Sequence, residues 1–197
     1  MNISIIGKGN VGGALGSGWE RAGHTVLYGV RSPSSSNERE IEQAVEESNT
    51  IVLAVPWSVV PSLLANPTAF KGKLVIDCTN PIAKDFSGLS IGHTDSGGET
   101  VARLLPEATV VKAFNTCGFN IMENPHFGSA TASLFIAGDD GRSKEIVSQL
   151  ATDLGFIPVD AGPLAQARYT EALAWLWISM ALKYGFGREI AFGILRR

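Results

Sequence analysis

Residues 3 to 13, Ile-Ser-Ile-Ile-Gly-Lys-Gly-Asn-Val-Gly-Gly, leave few folds open to this chain. A short apolar run comes first. Glycines then stand at positions one, three and six of a tight turn, and Ala14, Leu15, Trp19 and Ala22 recur at helical spacing. Strand, glycine turn and helix in that order turn a bare Gly-x-Gly-x-x-Gly into a dinucleotide-binding fingerprint. Gly7 permits the turn, Gly9 lets backbone amides approach a pyrophosphate, and Gly12 lets the helix lie close on the strand. The unpaired N–H groups that open the helix, with its partial positive charge, then face the phosphates. Lys8, Asn10 and Val11 line the same loop.

The helix is expected from Asn10 to Arg21, with Gly23 as its C-terminal stop. Thr25 to Gly29 follows as the second strand of a βαβ unit. A site built for NAD carries an acidic residue about twenty positions past the glycines, where it binds the adenosine ribose. Here the strand runs out through Gly29-Val30-Arg31-Ser32, and no Asp or Glu occurs between Thr25 and Asn37. A carboxylate there would repel a 2′-phosphate, whereas Arg31 with Ser32 would hold it by charge-assisted hydrogen bonds. The pattern selects NADP(H).

Beyond the polar loop 33–37, Glu38 to Glu47 reads as a short charged helix with Ile41, Ala44 and Val45 inward. Ile51 to Val55 is a continuous apolar run, the mark of a strand buried on both faces. It ends at Pro56-Trp57, where Trp57 suits either a site wall or helix packing. Ser58 to Ala65 reads as the next helix, and Leu74 to Asp77 as a fourth central strand closing in Cys78-Thr79-Asn80-Pro81. Ligands of open α/β sheets lie beyond the carboxyl ends of the strands, so Thr79 and Asn80 are candidates for the ribose or the nicotinamide amide. Residues 82–95 form a polar, glycine-bearing loop, a candidate mobile cover. Ser96-Gly97-Gly98-Glu99 is a capping-box pattern; its helix start would also suit an anionic group of a second substrate. Thr109 to Phe114 is the fifth strand, ending at Asn115-Thr116. Ser133 to Gly138 is a sixth, Ser143 to Leu154 a helix, and Phe156 to Val159 a last strand. A long helix from Ala165 to Tyr184, apolar all round in its middle, should be buried in this subunit or against a second copy. A homodimer contact accommodates its tryptophans.

The alternation predicts one α/β domain over 1–197, a doubly wound, mainly parallel Rossmann-type sheet, with 161–197 a C-terminal helical segment for packing or dimerisation. With 45% hydrophobic and 18% charged residues and a net charge of −3, the chain has no basic footprint for nucleic acid or a membrane surface. Its two cysteines, Cys78 and Cys117, and three histidines, His24, His93 and His126, match no disulfide or metal pattern. His126 reads as a surface residue rather than a proton donor. A first strand starting at Asn2 leaves no room for a signal peptide, which makes the cytoplasm the expected compartment. No catalytic acid, base or nucleophile stands out. Hydride transfer from NADPH to a second redox cofactor needs none for its hydride step, because the cofactors carry the electrons and the protein supplies orientation and dryness.

Several segments follow one another at familiar spacing: Gly7 to Gly12, Arg31, Val55-Pro56-Trp57, Ser96 to Glu99, Lys112-Ala113-Phe114-Asn115-Thr116, Ala137 to Asp140, and Asp160-Ala161-Gly162-Pro163-Leu164 with Arg168 and Glu171. Together they resemble the NADPH-dependent reductases of the deazaflavin coenzyme F420, over nearly the whole chain. The stretch from Lys112 to Thr116 and Arg168 are also similar to the oxidoreductase domain of the six-transmembrane ferric reductases. The resemblance implies NADPH along the glycine loop and Arg31, Val55-Pro56 against its middle, and a deazaflavin ring over the nicotinamide near Thr79 and Asn115. Asn115 stands where the archaeal deazaflavin enzymes tend to have histidine. Expected second substrates are therefore F420, FMN or FAD, with a ferric chelate or a small carbonyl or imine as the enzymatic alternative. A non-catalytic NADPH-sensing module is the alternative of another class.

Overall fold

The computed structural model describes all residues, 1–197. In chain order it holds β1 (Asn2–Ile6), α1 (Asn10–Arg21), β2 (Thr25–Gly29), β3 (Glu38–Arg39), α2 (Ile41–Glu46), β4 (Thr50–Leu53), α3 (Val60–Leu63), β5 (Leu74–Asp77) and α4 (Gly97–Leu104). There follow β6 (Thr109–Lys112), α5 (Phe119–Glu123), the two-residue strands β7 (His126–Phe127) and β8 (Ala130–Thr131), β9 (Ser133–Gly138), α6 (Gly141–Asp153), β10 (Ile157–Gly162) and α7 (Ala167–Leu182). Eight strands make one sheet in the order β10-β9-β6-β5-β4-β1-β2-β3. From β3 to β6 this is the 3-2-1-4-5-6 order of dinucleotide-binding sheets. Every pairing is parallel except β6 with β9, which is antiparallel.

Burial on both faces of the sheet explains the apolar strands. In β4, Val52 belongs to the core under α1, α5 and α6, while Ile51 and Leu53 belong to the core under α2, α3 and α4. All four β4 residues are buried, as period-2 alternation between two covered faces requires. Trp19 on α1 is fully buried; its indole N–H donates to the Leu150 carbonyl of α6 at 2.9 Å, and its ring meets Phe114 edge-on at 5.6 Å. One side chain thus joins the glycine-turn helix to α6 and to the end of β6.

The doubly wound sheet and the helix from Asn10 to Arg21 agree with the sequence. Gly23 has a φ of +88°, the left-handed stop expected of it. Several edges differ. Glu38 does not open a helix: it pairs with Tyr28 as an edge strand, and α2 begins only at Ile41. Residues 57–59 form a 3-10 turn and α3 spans four residues, because Pro61 lacks an N–H and Pro67 closes the segment. Strand β4 stops at Leu53, short of Val55. Strand β6 stops at Lys112 because Phe114 takes a φ of +61°. The final helix spans 167–182 after a 3-10 turn at 164–166, and residues 183–197 hold no helix or strand. Nor is it buried all round. Tyr169, Leu176 and Leu182 are exposed, while Glu171 is 1% exposed.

Candidate dinucleotide site

Parallel strands put their carboxyl ends on one edge, so the turns after β1, β2, β4, β5 and β6 line up along it. After β1, Gly7 has a φ of +100°, and a side chain there would strike the carbonyl of Ala54 beyond β4. A side chain at Gly12 would run into the backbone carbonyl of Gly7, so α1 lies against the turn as closely as the chain allows. Gly9 differs. Its φ is ordinary, and a Cβ built on it meets no protein atom within 4 Å. Nothing inside the protein requires glycine there; room for a ligand against the backbone would. Helix α1 also starts without a side-chain cap and without an acidic residue in its first turn. Its free N–H groups and the open space above Gly9 fit a pyrophosphate.

On the β2 side, Arg31 and Ser32 are exposed on the loop that follows the strand. The shape of that loop comes from a residue that local sequence reading placed in a helix. Glu38 is buried and accepts from Ser34 N at 2.7 Å and Ser34 Oγ at 3.0 Å, while Lys8 of the glycine turn donates to its other oxygen at 2.6 Å. Lys8, then Ser34, hold the Glu38 carboxyl down to about 2. The buried carboxylate of this loop is thereby occupied by a lysine and a serine, and the exposed guanidinium of Arg31 stands outside that knot. Lys8 also lies 4.8 Å over the ring of Tyr28.

On the other side of β1, Val55 is half-buried and Pro56 exposed after β4. Trp57 packs with the α2–α4 core and abuts Gly97 at the start of α4, as the helix-packing reading of it expects. After β5 and β6, Thr79 and Asn115 are buried and Asn80 is half-buried. Thr79 donates through N and Oγ1 to Asp77 Oδ1 at 2.9 and 2.7 Å. Asn80 Nδ2 donates to the Asn115 carbonyl at 2.9 Å, and Asn115 Nδ2 donates back to Asn80 Oδ1 at 3.1 Å. The fold therefore joins Thr79, Asn80 and Asn115 into one polar cluster, as their positions beyond adjacent strands predicted.

Beneath that cluster lies a network that sequence reading did not find. Lys112 is wholly buried, and its ammonium donates to Asp77 Oδ2 at 2.9 Å, to the Thr79 carbonyl at 2.5 Å and to Glu171 Oε1 at 2.9 Å. Burial alone would discharge it; Asp77 and Glu171 more than offset that and hold Lys112 above the usual lysine range. Glu171, on α7, in turn accepts from the N–H groups of Gly97 and Gly98 at 2.8 and 2.9 Å. The start of α4 is therefore capped from within, with Ser96 Oγ accepting from Glu99 N at 3.1 Å. The anion-binding alternative for α4 is corrected on that ground: its amides already have partners. Arg168 reinforces the joint with two bonds to Glu99, at 2.6 and 2.8 Å. The signal in the sequence was an isolated Lys in an apolar strand and an isolated Glu in an apolar helix, both of which need a buried partner.

Burial also pushes up the thiols of Cys78 and Cys117, the latter to about 12, so neither is a thiolate nucleophile at neutral pH. His126 is exposed on β7, as expected of a surface residue, with Nδ1 3.2 Å from Thr131 Oγ1. The loop 82–95 is anchored in its middle: Ser90 Oγ donates to the Pro81 carbonyl at 2.9 Å, and Lys183 donates to the Phe86 carbonyl at 2.8 Å. No helix of the chain is long and apolar enough to cross a membrane.

Comparison with known proteins agrees with this geometry. Residues 2–81, from β1 to the Thr79-Asn80 turn, match the family described as NADP oxidoreductase coenzyme F420-dependent. Metalloreductase STEAP3 of Rattus norvegicus is 32% identical over 180 residues, covering 87% of this chain but 36% of its own length, so this chain spans about a third of that relative. The F420-dependent NADP reductase of Methanothermobacter marburgensis is 27% identical over 210 residues and is covered to 93%, as is this chain. A solved structure from Arthrobacter sp. FB24, described as a candidate F420-dependent NADP-reductase, superposes with a TM-score of 0.89 at 26% identity, over 98% of this chain and 99% of that one. The glycine turn, the strand order and these matches make the chain similar to the F420-dependent NADP oxidoreductases, by the family model over residues 2–81 and by the Methanothermobacter marburgensis reductase over nearly the whole chain, and to the STEAP metalloreductases over about a third of their length.

Proposed function

We propose that this protein transfers a hydride between NADP(H) and a deazaflavin of the F420 type. The observation that carries the NADP(H) half is the bare start of α1 beneath Gly9, where nothing in the protein accounts for the glycine and a pyrophosphate does. Likeness to an F420-dependent NADP reductase over nine-tenths of both chains supports the deazaflavin half. Bound NADPH supplies the hydride. The glycine loop (Gly7, Lys8, Gly9, Asn10, Val11, Gly12) holds the pyrophosphate, and Arg31 with Ser32 the 2′-phosphate. Val55 and Pro56 rest against the middle of the cofactor, and Thr79, Asn80 and Asn115 orient the nicotinamide. No side chain is assigned a proton transfer, in keeping with a reaction whose hydride step needs none.

A second reading follows from the STEAP relatives: reduction of FMN, FAD or a ferric chelate by the same NADP(H) site. Anaerobic oxidation of NADPH by the purified chain, offered F420, FMN, FAD and a ferric chelate in turn, separates the two. Saturable turnover with F420 is expected. Turnover confined to flavin or ferric chelate would replace this proposal with the second reading. Tight NADPH binding without turnover on any acceptor would leave a nucleotide sensor.

A further inference from the structure

One buried group at the carboxyl edge has no partner within the protein: Oδ1 of Asn115, a residue 5% exposed. The network fixes which way round this amide lies. Asn80 spends an N–H on the Asn115 carbonyl, so its own Oδ1 is the atom turned to the Asn115 side chain and must meet Nδ2. Turning the Asn115 amide over would set two oxygens face to face. Its Oδ1 is thus held as a bare acceptor.

The backbone holds it there as well. Phe114, immediately before, has a φ of +61°, uncommon for a bulky residue, and is buried with its ring edge-on to Trp19 at 5.6 Å and to Phe156 at 6.4 Å. Such a conformation persists only where its surroundings over-determine it. Lys112, two residues earlier, is gripped by three acceptors. The segment that carries Asn115 is fixed at 112 and at 114. The other two unpartnered buried oxygens lie elsewhere, Ser4 Oγ within β1 and Asn120 Oδ1 on α5.

A buried acceptor needs a donor. Asn115 stands three strand spacings from the glycine turn, about 14 Å along the sheet edge, on the side of β1 opposite Arg31. We propose that Asn115 Oδ1 receives the carboxamide N–H of the nicotinamide ring and so selects for that ring, with Asn80 as the positioning residue that keeps the oxygen forward. This rests on the NADP(H) reading of the site and adds the atom that recognises the ring.

The test uses the 3-acetylpyridine analogue of NADP⁺, which replaces the carboxamide –NH2 by –CH3 and keeps the carbonyl, both riboses and all phosphates. Affinities of the wild-type protein and of Asn115→Ala for NADP⁺ and the analogue are measured by calorimetric titration. Leaving a buried acceptor unpaired should weaken binding of the analogue to the wild type by about ten- to a hundredfold. In Asn115→Ala the two nucleotides should bind within about threefold of each other, since the acceptor is gone. Equal affinities in the wild type would overturn the proposal without any variant, leaving the NADP(H) reading intact. A preference that survives in Asn115→Ala would overturn it too, by moving the recognition elsewhere. Failure of NADP⁺ itself to bind the wild type would bring down the site reading together with it.

Discussion

At the scale of single residues, cofactor choice rests on Arg31. Its guanidinium is exposed beside a loop whose buried carboxylate, Glu38, is already held by Lys8 and Ser34. Charge-assisted hydrogen bonds contribute about 1.5–3 kcal/mol each. Replacing Arg31 by Ala is therefore expected to lower the ratio of NADPH to NADH affinity by about ten- to a hundredfold, read from titrations of both nucleotides. An unchanged ratio would remove Arg31 from the site. Glu38 gives a pH dependence with a definite sign. Its carboxyl is lowered from 4.5 to about 2 in the folded chain, so the unfolded chain binds its proton first. The contribution is fully present above about 4.5 and is lost as the pH falls towards 2. The melting temperature of the wild type should exceed that of Glu38→Gln at pH 6, and the gap should close as the pH is taken down through this window. A gap that does not depend on pH would deny the ion pair its part.

At the scale of elements, the buried triad of Asp77, Lys112 and Glu171 ties the ends of β5 and β6, the start of α4 and the middle of α7 into one joint. Lys112→Met would leave two buried carboxylates uncompensated, and a loss of about 3–5 kcal/mol is expected in denaturant unfolding. A loss under about 1 kcal/mol would mean that the joint relaxes around a neutral side chain. This joint also marks where the sequence stopped being legible. Strands β1, β2, β5 and β9 and helices α1 and α6 could be read within a residue or two, because apolar period and glycine stops are local signals. Thr79, Asn80 and Asn115 could be brought together because parallel strands share a carboxyl edge. Glu38 was misplaced because its strand exists only by pairing with Tyr28. The pairing of Glu171 with Lys112 could not be read because the two stand 59 positions apart in sequence, where no period reaches. The strained turn at Phe114 carries no glycine to announce it.

For the whole molecule, α7 presents Tyr169 and Leu176 to solvent on the face away from Glu171, and Leu182 is exposed at the helix end. We propose that a second copy covers this face, as the apolar composition of the helix suggested. Sedimentation should give close to twice the chain's 20.9 kDa for the wild type, falling towards one chain in Leu176→Glu. A wild type that sediments as one chain would retire the dimer. The central claim is direct hydride transfer at one edge of one sheet. It is tested most directly by mixing the protein anaerobically with F420 and NADPH carrying deuterium at the reactive carbon of the nicotinamide. The account predicts one NADPH oxidised per F420 reduced, with the label found on the deazaflavin ring. Label lost to water, or NADPH left unoxidised while F420 is present in excess, would contradict it.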